Sequence, residues 1–194
     1  MLDLSISYSD MAQRILIATN TLIAKESVQH ISMHKVARQA GISVGTIYLH
    51  FKDKDDLLNQ MLCFLFQKYH QYISQNFNIK LPLYEQYCQF WKNQWAFLQQ
   101  HPNAVINMHQ YEALPQFHTL CRYCSEAEDL PYNLFIAEGK KQNIIADLPI
   151  EVIYSLSLEI ATKLAYSQIV ENKHYDPQIL EDVINRTWKA IILR

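Results

Sequence analysis

Glycine is scarce in this chain: Gly41, Gly45 and Gly139 are the three in 194 residues. No β-rich run with regular turn signals occurs, which argues against a sandwich or barrel. No apolar run reaches 18 residues, which excludes a membrane-spanning helix from the reading. Residues 1–4 (Met1, Leu2, Asp3, Leu4) lack the basic start and apolar stretch of a secretion signal, so a cytoplasmic location is expected. Four cysteines, Cys63, Cys88, Cys121 and Cys124, are too few for a disulfide framework in such a chain and read as free thiols. Charge of one sign is also lacking: 19% of residues are charged and the net charge is −2. Bulk electrostatics therefore point to no partner.

Apolar residues are plentiful, at 49%. That is enough to bury a core and argues against disorder. They recur at helical spacing, so the expected class is all-α. No proline precedes Pro82; Pro82, Pro102, Pro115, Pro131, Pro149 and Pro177 then follow. Proline is excluded from helix interiors but tolerated in first turns. The second half therefore reads as successive helices with prolines near their starts, and Asp176 before Pro177 is the clearest start signal.

The first 56 residues read as one domain. Met11, Ile15, Ala18 and Leu22 share a face of a helix over about residues 10–25. Ser32 caps a short helix over 33–40, with Val36, Ala37 and Ala40 inward, ended by Gly41. Ser43 caps a second short helix ending near His50. Asp53 caps a long helix reaching about residue 75, whose apolar face runs from Leu58 through Met61, Leu62, Leu65, Phe66 and Tyr69 to Ile73. Two of the three glycines fall in the short pair, where a tight turn or a close approach is needed. Two short helices joined through Gly41, with Ala37 small at their crossing, follow the logic of a helix-turn-helix, whose second helix enters the major groove of DNA. From residue 27 to 54 the basic residues Lys35, Arg38, Lys52 and Lys54 face one acid, Asp53, a local net of +3. That patch is too weak to indicate nucleic acid by itself.

Residues 15–58 resemble the DNA-binding domain of the TetR (TetR/AcrR) family of regulators. The resemblance is carried by Val36-Ala37, Ala40-Gly41-Ile42-Ser43, Gly45-Thr46-Ile47-Tyr48, His50-Phe51-Lys52, Lys54 and Leu57-Leu58. It implies that Ser32, His50 and Lys54 hold the phosphate backbone, and that Ser43, Val44, Gly45, Thr46, Tyr48 and Leu49 form the reading face. Three positions depart from the pattern. Ser27 stands where glycine is usual, and must take a less favoured backbone or end the first helix differently. Val44 replaces a frequent lysine, and Leu49 a tyrosine or histidine. An apolar reading face is expected to lean on methyl contacts and DNA shape.

The resemblance further implies that residues 57–194 form a helical domain for ligand binding and dimerisation. The expected regulator is a homodimer, most often a repressor, released from a palindromic operator by a small-molecule effector. Two broad apolar helices, 150–170 and 177–194, are the expected dimer surface. Tyr87, Trp91, Trp95, Met108, Tyr111, Phe117 and Phe135 are candidate pocket walls for a mostly apolar effector. Neither a cofactor nor a metal is expected. Cys121 and Cys124, three apart with His118, leave a redox- or metal-responsive alternative open, although zinc would want a fourth ligand. A helical adaptor without DNA binding is the other alternative. No phosphate loop, nucleophile elbow or zinc-protease motif supports an enzyme.

Overall fold

A computed structural model describes residues 6–193; the N-terminal reading of residues 1–4 and the terminal Arg194 lie outside the described residues. The helices are α1 (Asp10–Glu26), α2 (Met33–Ala40), α3 (Val44–Tyr48), α4 (Lys54–Ile73), α5 (Leu83–Gln100), α6 (Pro102–Ile106), α7 (Met108–Glu112), α8 (Pro115–Glu126), α9 (Pro131–Lys141), α10 (Ile150–Leu156), α11 (Glu159–Ile169) and α12 (Pro177–Ile191). A single 3-10 turn, Val28–His30, follows α1. All six prolines begin or directly precede a helix, where a missing N–H costs nothing.

The chain forms two compact units. The first comprises residues up to Lys68 together with Ile106–Arg122. Its core joins Ile15, Leu16 and Ile23 of α1, Val36 of α2, Ile47 of α3 and Phe51 with Leu57, Met61 and Leu62 of α4. Tyr111 and Leu120 complete it. Each such side chain, taken out of water, contributes about 1.5–3 kcal/mol. That is how a five-residue helix such as α3, too short to persist alone, holds its place: Ile47 and Phe51 anchor it.

The second unit comprises Tyr69–Val105 and the chain from Tyr123 onward. Tyr87, Phe90 and Trp91 of α5 pack with Phe135 of α9, Ile153 of α10, Ala161 and Ala165 of α11 and Ile184 of α12. An isolated antiparallel bridge between Ile145 and Ile192 ties the end of α12 to the loop before α10.

The apolar stretch 150–170, expected to run as one helix, is instead two. Ser157 stands between α10 and α11 with φ −127° and ψ −88°. Its hydroxyl donates to the Ile153 carbonyl at 2.5 Å and lies 3.2 Å from the Tyr132 hydroxyl. A serine bonding back one turn competes with the helix ladder and bends it.

Candidate nucleic-acid interface

The helix-turn-helix is built by capping. The Ser9 hydroxyl accepts from the Ala12 N–H and starts α1. Ser32 Oγ accepts from the Lys35 N–H at 3.3 Å and starts α2. Ser43 Oγ accepts from the Thr46 N–H at 3.1 Å and starts α3. Asp53 Oδ1 accepts from the Asp56 N–H at 2.9 Å and starts α4. Each cap satisfies an N–H that the helix itself leaves open. Between α2 and α3 the chain reverses at Gly41, whose φ of +67° is left-handed. The guanidinium of Arg14 lies 3.2 Å from where a side chain at Gly41 would begin.

The face of α3 is divided. Ile47 is fully buried and Phe51, just beyond the helix, is 1% exposed. Tyr48 is 55% and Leu49 83% exposed. Gly45 is exposed, and a side chain there would meet nothing closer than Ser43 Oγ at 3.7 Å. Nothing inside the protein therefore requires glycine at 45. Thr46 is half-buried, and its hydroxyl lies 2.8 Å from Ser43 Oγ. Val44, expected on the reading face, is half-buried and packs against the core of the first unit with Ile42. His50 is half-buried. The Lys54 ammonium makes a long 3.5 Å contact to the Gln29 carbonyl.

The basic patch is weaker than the count over 27–54 suggests. Glu26, one residue outside that window, pairs with Lys35 at 2.6 Å. The hydrogen bond from Lys35 holds the Glu26 carboxyl below its ordinary range. Arg38 and Lys52 remain exposed on the same unit.

Ser27 adopts the less favoured backbone, with φ +74° and ψ 153°. Such a conformation costs a side-chain-bearing residue about 1–3 kcal/mol. The residues around it are gripped by a segment far along the chain. The Val28 N–H donates to Gln110 Oε1 at 2.7 Å, and Gln110 Nε2 donates to the Ile23 carbonyl at 3.4 Å. Asn107 Nδ2 donates to the backbone and side-chain oxygens of Asn20, both at 2.9 Å. The Tyr111 hydroxyl donates to the same Asn20 side-chain oxygen. Sequence reading missed Asn107 and Gln110. They lie more than 80 residues from their partners, and no local pattern marks them.

The candidate pocket residues divide between the two units. Met108, Tyr111 and Phe117 belong to the first unit, and Tyr87, Trp91, Trp95 and Phe135 to the second. Tyr111 is committed to Asn20 and Asn107, and Phe117 packs edge-on against Phe66. In the second unit the Trp91 and Trp95 rings stack with centroids 6.0 Å apart. Trp91 Nε1 and Gln99 Nε2, eight residues apart on α5, are buried donors without an acceptor.

None of the four cysteines is in a disulfide. Desolvation and the nearby Glu112 carboxylate push the Cys121 thiol up, away from the reactive thiolate. His118 Nε2 lies 2.9 Å from the Glu112 carbonyl, and Cys124 Sγ lies 3.1 Å from His70. Among the described residues no three His, Cys, Asp or Glu side chains are grouped as a metal site. Nor, among them, is any helix long and apolar enough to cross a membrane.

A capped helix pair turning on a left-handed glycine, with a half-exposed second helix, defines a DNA-binding helix-turn-helix protein. Comparison with known proteins places it further. Residues 15–61 match the family described as "Bacterial regulatory proteins, tetR family". Residues 82–192 match "Tetracyclin repressor-like, C-terminal domain". An HTH-type transcriptional regulator from Haemophilus influenzae is 38% identical over 183 residues, 94% of this chain and 96% of its own length. The crystal structure of a TetR-family regulator from that organism superposes with a TM-score of 0.87 at 38% identity, covering 95% of this chain and 97% of the other. A TetR family protein from Vibrio parahaemolyticus superposes at 0.80 with 30% identity, covering 95% and 100%. HTH-type regulators of Staphylococcus aureus share 49% identity over 45 residues alone, 23% of this chain and 24% of theirs. The chain belongs to the TetR family of transcriptional regulators, which are not enzymes.

Proposed function

We propose that this protein is an effector-responsive repressor that binds a palindromic DNA operator as a homodimer. In this reading residues 1–56 carry DNA contact, and residues 57–194 carry effector binding and the dimer. Gly45, Thr46, Tyr48 and Leu49 meet the groove, with Ser43 and Val44 setting the start of the recognition helix. Ser32, His50 and Lys54 hold phosphates. The observation that carries the reading is the divided face of α3. Tyr48 and Leu49 are kept out of the core while their neighbours Ile47 and Phe51 are sunk into it. Gly45 is free of any internal need for glycine, which suits close approach of a groove wall.

The effector is a small, mostly apolar molecule bound in the second unit along α5. The stacked Trp91 and Trp95 supply apolar wall, and the two unpartnered donors, Trp91 Nε1 and Gln99 Nε2, await an acceptor. A few polar groups in an aromatic lining are what such sites use to orient a ligand. Binding shifts the population toward a form whose recognition helices are wrongly spaced for successive grooves, and the operator is released.

The test is selection of duplexes from random-sequence DNA by the native protein, followed by titration with Tyr48→Ala and Lys54→Ala. Tyr48→Ala is expected to lose about tenfold or more in affinity. Lys54→Ala is expected to weaken all duplexes alike and to lower the salt dependence by about one counterion. Native affinity in both variants would sink the assignment of the recognition helix.

A further inference from the structure

We propose that Gln110 is a positioning residue for DNA binding: from α7 it pins the strained joint between α1 and the helix-turn-helix. The inference rests on the DNA-binding reading above. Three observations carry it. Ser27 holds a φ of +74°, a backbone that residues with side chains rarely adopt. The N–H of the next residue, Val28, finds its acceptor in Gln110 Oε1 at 2.7 Å, 82 positions away in sequence. The segment presenting Gln110 is itself fastened to α1, through the fully buried Asn107 and through Tyr111, both on Asn20.

The consequence follows from what the joint supports. Val28 opens the 3-10 turn, and beyond it lie the Gln29 carbonyl that receives Lys54 and the Ser32 cap of α2. A joint free to relax from the Ser27 conformation moves the entry of α2, and with it α3, relative to α1. Recognition helices tolerate little such movement, since a displacement of about an ångström misplaces hydrogen bonds to DNA. Gln110 thus fixes the reading head without touching DNA, and does so from a segment outside the helix-turn-helix itself.

The experiment uses the full chain and the duplex selected by the native protein. Gln110→Ala is expected to bind that duplex about tenfold more weakly, as loss of one half-buried hydrogen bond at the joint predicts. The Val28 amide is expected to exchange with solvent faster. Ser27→Gly, which removes the strain at its source, is expected to restore affinity in the Gln110→Ala background. A Gln110→Ala protein that binds like the native chain overturns the proposal. So does weakened binding with Val28 exchange unchanged, and so does a double variant no better than the single one. Failure of the native chain itself to select any duplex overturns both this proposal and the DNA-binding reading, and is told apart by that control.

Discussion

His70, on α4, is a neutral group in the folded chain. Burial pushes its imidazole down from the ordinary 6.5 to about 4. The Tyr69 ring stands edge-on at 5.2 Å and the Cys124 sulfur lies 3.1 Å from Nε2. The unfolded chain takes up a proton as pH falls through 6.5, and the folded chain does so only near 4. Between those values the unfolded state binds more protons, so stability is full above pH 6.5 and is lost as pH falls toward 4. From pH 7.5 to pH 5 the loss is about 1–2 kcal/mol, reduced from the full shift because the ring keeps some exposure. Urea denaturation at the two pH values should show that loss in the native protein and a smaller one in His70→Gln. Equal losses would mean that His70 is not held neutral. Cys121 also departs from its ordinary value, but upward, through desolvation and the nearby Glu112 carboxylate, which lowers its thiolate fraction.

At the scale of elements, the turn between α2 and α3 rests on Gly41. Its left-handed φ penalises any side chain there, while the Arg14 guanidinium, 3.2 Å from an added Cβ, need shift only a few tenths of an ångström. Gly41→Ala should cost about 1 kcal/mol from the backbone alone, read as a lower denaturation midpoint with an unchanged slope. A stability equal to the native value would mean that the turn relaxes elsewhere. This turn was legible in the sequence, and for a reason shared by most helix ends here. Ser32, Ser43, Asp53 and Asp176 each lie within three residues of the N–H they cap, and proline acts on its own turn, so local chemistry decides. What the sequence did not disclose is decided across long separations. The break at Ser157 combines a local back-bond to Ile153 with a contact to the Tyr132 hydroxyl, 25 residues earlier, and the second is invisible in the local pattern. Val44, placed on the reading face by the resemblance, is half-buried and also touches the core with Ile42. The aromatic candidates for the effector site share helical spacing with plain core residues, and periodicity does not reveal which unit each joins. Gln110 is the extreme case, its partners being the Val28 amide and the Ile23 carbonyl, each more than 80 residues away.

At the scale of the whole molecule, the proposed operator reading requires two copies. One α3 touches one half-site, and recognition of a palindrome needs a second recognition helix about 34–36 Å away. The second unit carries surface suited to pairing. On α10 Val152 and Leu156, just after α11 Val170, and on α12 Ile179 remain 38–46% exposed although each is apolar. Ile160, Leu164 and Val183 on α11 and α12 are only half-covered. Exposed apolar side chains grouped on these three helices suit a partner surface, and a second copy related by a two-fold axis presents a matching set. Leu156→Glu with Ile179→Glu puts two carboxylates at positions that a self-complementary interface would desolvate, with each charge repeated in the partner. Light scattering after size exclusion should give the dimer mass for the native chain and predominantly monomer for the double variant at about 10 μM, because like charges and unpaired buried charges each cost several kcal/mol. The monomer should keep its helical circular dichroism, since all these positions are solvent-facing in the single chain. It should also lose most of its affinity for a palindrome while binding a lone half-site as weakly as the native protein does. A double variant that stays dimeric would move the interface to another face of the second unit.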